Sequence, residues 1–272
     1  MQTAYTIILA PNPSIMTGPG TNTIVLGGGG GGNEGAIVID PAVDDASYLD
    51  TLVQEGEKRG GIGRILITHG HPDHVGGAQA LRARLHVPIY AFSRQGVPVA
   101  DVEVADGETF PAGEDTLRAI HTPGHRFDHH SYYLERQRIL FAGDMISGLT
   151  TNVIAPPDGN MFDYMNSLQR LQEIDIAEIV PAHGPTIANA QAKIAEYIAH
   201  RQLREQQILQ TLETLPRGVT IPEMVPAIYT DVDPKLHPIA AWSVEAHLLK
   251  LEKEGLVERI GEKGWTLVEP TA

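Results

Sequence analysis

The sequence predicts an α/β layered sandwich followed by a small, helical, winged-helix-like subdomain, and three observations carry that expectation. Short β-branched runs come in two blocks with helical segments between them. Each group of candidate metal ligands follows directly on an apolar strand, so loops at one sheet edge can converge on a point. From Asn189 onward the periodicity turns helical and ends in a small hairpin. The expected division is residues 1–188 for the sandwich and 189–272 for the C-terminal piece, within the length of one large domain plus one small one.

Taken in order, Thr23 to Leu26 and Ala36 to Ile39 read as an antiparallel hairpin around the glycine run Gly27 to Gly32. That run lacks the Lys-Ser/Thr and the following helix of a phosphate-binding loop, and no function attaches to it. The second strand ends at Asp40, which reads either as a turn residue or as a support for a metal site from behind. Tyr48, Leu49, Leu52 and Val53 recur at helical spacing before Gly60-Gly61. Arg64 to Thr68 is a buried strand, and after Pro72 the apolar face of Val75, Ala78, Leu81 and Leu85 predicts one helix. Strands return at 88–91, 117–120, 131–134 and 138–142. Three helices follow, ending near Pro216, Tyr229 and Glu254, and a two-stranded wing covers 255–268.

Composition narrows the chemistry. The chain has no cysteine, so a bound metal must be held by His, Asp and Glu. The formal charge is -14, which disfavours duplex DNA. No stretch reaches about 18 uninterrupted apolar residues and no secretory pattern opens the chain, so a cytoplasmic protein without a membrane partner is expected. Residues 185–272 hold nine Lys/Arg against twelve Asp/Glu, whereas a groove-reading module is basic. The expectation is a helical cap that packs on the sandwich and shapes the substrate entrance. Oligomeric state is not legible.

Thr68 to His74 reads Thr-His-Gly-His-Pro-Asp-His, a dense set of nitrogen and oxygen donors. His69 and His71 lie on one side of an extended loop, while Asp73 and His74 at a helix start turn to a neighbouring position. Further donors follow strands at His125, Asp144 and His183. We assign His69, His71 and His125 to one ion, Asp73, His74 and His183 to a second, and Asp144 as the bridge. Water or hydroxide between the ions is the expected nucleophile, with Asp73 in the catalytic set. His129, beside Asp128 and His130, is a candidate proton donor or a support for a ligand. His86, His121, His200, His237 and His247 are read as structural. Zinc suits the donors best, and iron or manganese are compatible with an all N/O set.

The His-x-His-x-Asp-His pattern at 69–74, followed by His125, Asp144 and His183, resembles the metallo-β-lactamase superfamily. That resemblance implies a four-layer αββα sandwich and a binuclear centre, usually of zinc. Gly20 to Thr23, His121 to His125, Asp163 to Leu168, His200 to Ile208 and Leu248 to Gly255 resemble the β-lactamase-like protein 2 family, including its winged-helix-like end. The implied activity is endonucleolytic hydrolysis of single-stranded RNA. The alternatives are a thioester or lactone hydrolase of the glyoxalase II or acyl-thioesterase kind, acting on a small-molecule ester or thioester, and a non-enzymatic nucleic-acid-binding module.

Overall fold

Along Ala36–Ile39, Ile37 and Ile39 point one way and Ala36 and Val38 the other, and all four are buried. A strand covered on both faces needs a layer on each side. The computed structural model, which describes residues 4–28, 35–230 and 232–269, supplies both. The first sheet runs β1 (Tyr5–Leu9), β2 (Asn22–Gly27), β3 (Ala36–Ile39), β4 (Ile62–Leu66), β5 (Ile89–Ala91) and β6 (Val102–Glu103) side by side. It is antiparallel as far as β3 and parallel beyond. The first two parallel steps require crossovers, provided by α1 (Ala46–Glu57) and then by α2 (Pro72–Val75) with α3 (Ala78–Leu85).

The second sheet has the order β11 (Glu178–Pro181), β10 (Ile139–Gly143), β9 (His130–Leu134), β8 (Asp115–His121) and β7 (Thr109–Ala112). Ile37, Ile39 and Leu66 of the first sheet meet Leu117, Tyr132 and Phe141 of the second between the layers. Each such side chain, fully buried, contributes on the order of 1.5–3 kcal/mol. Tyr48, Leu49, Leu52 and Leu81 cover the outer face of the first sheet. Tyr164 and Leu168 of α4 (Met161–Gln172), with Ile194 and Tyr197 of α5 (Ala190–Thr214), cover the second. The layers are therefore α, β, β, α, the expected sandwich.

The 25-residue α5 serves two cores, because its later residues Ile208 and Leu212 belong to a separate apolar cluster. That cluster joins α6 (Ile221–Ile228), α7 (His237–Lys253) and a sheet ordered β12 (Val219–Thr220), β14 (Gly264–Leu267), β13 (Val257–Ile260). The arrangement is a winged helix whose wing has a third strand, β12, that periodicity did not show. The C-terminal piece packs back on the sandwich: α7 lies against α4, with the Lys253 ammonium 3.7 Å from the Phe162 ring centre. Among the described residues, no helix is long and apolar enough to cross a membrane.

Other expectations shift locally. Strands β1, β6 and β7 and helix α4 went unmarked in the sequence, the strands being short or carrying polar and proline residues. The glycine run Gly27 to Gly32 lies outside the described residues beyond Gly28. The single helix expected after Pro72 is two, broken at Gly76-Gly77. A Cβ at Gly76 would sit 2.5 Å from the Ala42 carbonyl oxygen, and one at Gly77 2.4 Å from that of Val43. The glycines let the 41–43 loop press against the start of the ligand helix, where the Gly77 N–H donates to the Pro41 carbonyl at 2.7 Å. Gly77→Ala is accordingly expected to lower stability by about 1–3 kcal/mol, as overpacking does elsewhere. Urea denaturation of the metal-free protein checks this, and an unchanged midpoint would contradict the close approach.

Candidate metal centre

The site is built at the ends of strands. Past the end of β4 the chain leaves the sheet through Ile67 and Thr68, and Asp40, beyond β3, holds it there. Asp40 accepts from the Thr68 N–H at 2.8 Å and from its hydroxyl at 2.6 Å. The same carboxylate accepts from His74 Nδ1 at 2.7 Å. With its own proton given to Asp40, the Thr68 hydroxyl is left to accept from His69 Nδ1, 3.1 Å away. Both rings therefore present Nε2 to the interior, their tautomers set by the partner of the other nitrogen.

Two groups of donors converge, His69, His71, His125 and Asp144 in one and Asp73, His74 and His183 in the other. His71 Nδ1 lies 2.8 Å from His69 Nε2 and 3.1 Å from His125 Nε2, and Asp144 Oδ2 is 3.4 Å from His125 Nε2. In the second group His183 Nε2 and Asp73 Oδ2 are 3.5 Å apart, and His74 Nε2 and Asp73 Oδ2 3.9 Å. Asp144 reaches across, with Oδ2 3.6 Å from His74 Nε2 and Oδ1 3.4 Å from His183 Nε2. Donors at about 2.0–2.1 Å around a tetrahedral cation stand about 3.3 Å from one another, and these separations fall around that value. His74 Nε2 and Asp144 Oδ1 are buried without a hydrogen-bond partner. Such atoms are costly unless something binds them, so the residues present fit divalent cations.

Electrostatics separates the groups. Burial holds His69, His71 and His125 below the ordinary histidine range, His71 at about 4, and neighbouring imidazoles add to the effect. These rings are neutral at pH 7 with lone pairs available. Burial pulls His74 down as well, but Asp40 and Asp144 outweigh it and hold the ring well above its usual value. Burial likewise pushes Asp144 up, and His74, His125 and His183 override it, keeping the carboxylate ionised. Asp73 follows the same pattern, with burial overcome by His183 and His74.

His129 is fully buried, and both its ring nitrogens are committed. Nε2 accepts from the Asp144 N–H at 3.0 Å, so Nδ1 carries the proton, given to Thr122 Oγ1 at 2.9 Å. That leaves no nitrogen to donate to a leaving group; His129 aims Asp144 through its backbone. Gly143 makes room at a bulge of β10, since with φ +54° its Cβ would lie 2.5 Å from His129 Nε2. Asp128 accepts from the Gly70 N–H at 2.9 Å and pins the ligand loop. His121 stacks on Phe92, His86 ends α3 and His247 pairs with Glu205, all apart from the two donor groups.

One support had no signal in the sequence. The Asn152 side-chain amide donates to the Asp144 carbonyl at 2.7 Å, and the adjacent Val153 carbonyl accepts from His125 Nδ1 at 3.0 Å. Helix α5 clamps this strap: buried Arg201 donates to the Asn152 carbonyl, and the Tyr197 hydroxyl donates to that of Thr150 at 3.0 Å. Only the fold brings residues 144–153 and 197–201 together.

Two predictions follow from these shifts and supports. Loading the first group should depend on pH less than loading the second, its rings being held below the ordinary histidine range, whereas loading the second should release the His74 proton and weaken as pH falls. Calorimetry in buffers of different ionisation enthalpy measures the protons released; none at either step would overturn the assignment. Asp40→Asn should cost about 10–100-fold in affinity at the His74 group, as loss of a ligand's supporting partner does, read by competition with a chromogenic chelator.

The metallo-beta-lactamase superfamily profile matches residues 16–183, and that of the beta-lactamase associated winged helix domain matches 220–265. A beta-lactamase-like protein 2 homolog of Drosophila melanogaster is 34% identical over 97% of this chain and 94% of its own length. An atrochrysone carboxyl ACP thioesterase of Emericella nidulans is 30% identical over 91% of this chain and 80% of its own. Among solved structures, a beta-lactamase domain protein from Burkholderia ambifaria superposes with a TM-score of 0.79 at 20% identity, covering 97% of this chain and 91% of that one. With the donor groups in place on that fold, the chain belongs to the metallo-beta-lactamase superfamily and is a metal-dependent hydrolase with the associated winged helix.

Proposed function

We propose that the chain hydrolyses a carboxylic thioester or ester at a binuclear centre held by His69, His71, His125, Asp73, His74 and His183, with Asp144 between the groups. One observation carries this choice of substrate. The donors open on a cleft of about 430 Å³ whose lining beyond His71 and His125 is apolar apart from Asp158, with no lysine or arginine. Nearby Arg126 is already paired, with Asp128 at 2.8 Å and Asp158 at 3.2 Å. A polyanion meets no free cation there, whereas an acyl group finds apolar walls. The thioesterase name of the Emericella nidulans relative supports the same reading.

When bound, two divalent cations supply an activated water and a Lewis acid for the carbonyl oxygen, and zinc is the ion these donors suit best. The chain supplies the rest. Asp73, the more exposed of the two carboxylates in the donor groups and held in its ionised form by His183 and His74, orients water and receives its proton. Asp40, Thr68, His129 and the Asn152-Val153 strap fix the ligands. In the overall step the acyl C–S or C–O bond breaks and a C–O bond to water forms. The products are a carboxylate, a thiol or alcohol, and one proton.

The phosphodiester reading draws on the winged helix, but residues 217–272 hold six Lys/Arg against nine Asp/Glu, and three of the six are held in ion pairs. Lys250 pairs with Glu205 and Glu254, Arg217 with Glu258 and Glu269, and Arg259 with Glu252. Parallel assays of the metal-loaded protein on S-acyl N-acetylcysteamine thioesters and on unstructured RNA decide between the readings. Thioester turnover that disappears in Asp73→Ala is the expected result. RNA cleavage that disappears in the same variant, without thioester turnover in the wild type, would replace this reading with phosphodiester hydrolysis.

A further inference from the structure

The cleft is made by five stretches distant in sequence, one of them from the C-terminal piece. His71 and His125 form the floor, Met16 and Pro156-Pro157 the near sides, and Trp242 of α7 the far side. On α7 the residues Ala240, Val244, Leu248 and Leu251 face the C-terminal core. Trp242, two positions from Ala240, projects from the opposite side of the helix. Its indole is 47% exposed and Met16 53%. Leu149, also exposed, lies against Gly18 of the Met16 loop. Large apolar side chains left open around a concavity that ends at a catalytic centre mark a ligand site.

Resting on the thioester or ester reading above, we infer that the substrate carries a bulky, uncharged ring acyl group that stacks on Trp242, making this residue of the winged-helix piece a determinant of acyl specificity. The chemistry of the walls selects the class. An indole face, two prolines and a methionine offer mainly dispersion and stacking, which favour an apolar acyl chain over a polar one. Asp158, the charged lining residue away from the histidines, is already paired with Arg126 at 3.2 Å, so an acyl group that ends in a carboxylate finds no free cation in the lining. The volume suits a ring system, whereas an acetyl group leaves most of the cleft wet.

The test compares S-benzoyl and S-acetyl N-acetylcysteamine on the metal-loaded protein. Trp242→Ala should lower the benzoyl-over-acetyl ratio of kcat/KM by about tenfold, in the range that losing apolar pocket contacts gives. The change should lie in KM for the benzoyl substrate, and Trp242→Phe should restore most of it. The exposed side chain stands outside the C-terminal core, so truncation spares the fold. A ratio unchanged within about twofold would overturn the inference, being smaller than the loss of one methylene contact. A second readout does not need turnover: neutral benzamide should blue-shift the indole emission of the wild type and leave that of Trp242→Phe, whose remaining tryptophan is buried Trp265, unmoved. A shift without thioester turnover would keep the pocket and reject the reaction. Turnover without a shift or a selectivity change would keep the reaction and reject the pocket.

Discussion

Seven nitrogen and oxygen donors are drawn into two adjoining groups, where their lone pairs face one another at close range. A buried polar atom left unpaired costs about 1–3 kcal/mol, and His74 Nε2 and Asp144 Oδ1 are in that position. The metal-free fold offsets part of this by holding a proton on His74 between Asp40 and Asp144. That device works only in the second group. In the first, burial has already removed the protons from three imidazoles. The two halves of the centre are thus unequal before any ion binds, one a set of ready lone pairs and the other a set whose charge a cation must displace.

The sandwich delivers the donors because strand ends are stiff and the loops beyond them short. His69 follows β4, Asp144 follows β10 and His183 follows β11, so each inherits its position from a ladder of backbone hydrogen bonds. Asp40, just beyond β3, ties its own strand end to both ends of the ligand stretch after β4, through Thr68 and His74. Its backbone is left-handed, with φ +53°, a conformation that non-glycine residues rarely adopt. The strain is tolerated where three hydrogen bonds converge on one carboxylate.

These arrangements differ in how far the sequence discloses them. The ligands were readable because the donors of Thr68 to His74 are adjacent and because His125, Asp144 and His183 each follow an apolar run. Asp40 was readable for the same reason. The break at Gly76-Gly77 was not, because two glycines within an apolar face read as tolerated helix residues until the 41–43 loop is seen against them. Asn152 was invisible: it reaches a backbone carbonyl, and nothing in its neighbourhood marks that role. For His129 the neighbours Asp128 and His130 left two roles open, proton donor or support for a ligand, and the partners that favour support, Thr122 and the Asp144 N–H, lie 7 and 15 residues away. Trp242 stood in a helix of ordinary periodicity, and only its position over a cleft built by other segments gives it a part.

Residues 152–157 act on both sides of the site. Asn152 and Val153 hold Asp144 and His125, while Val153, Pro156 and Pro157 form a wall of the cleft. The clamp on this segment comes from α5, whose later half belongs to the core that also anchors α7 and therefore Trp242. Ligand support, cleft wall and C-terminal piece are in this way mechanically continuous. The C-terminal piece brings Trp242 to the wall of the cleft, so it helps to complete a pocket built by other segments. Its net acidity costs nothing when the bound group is apolar, whereas a polyanion would meet a net negative field.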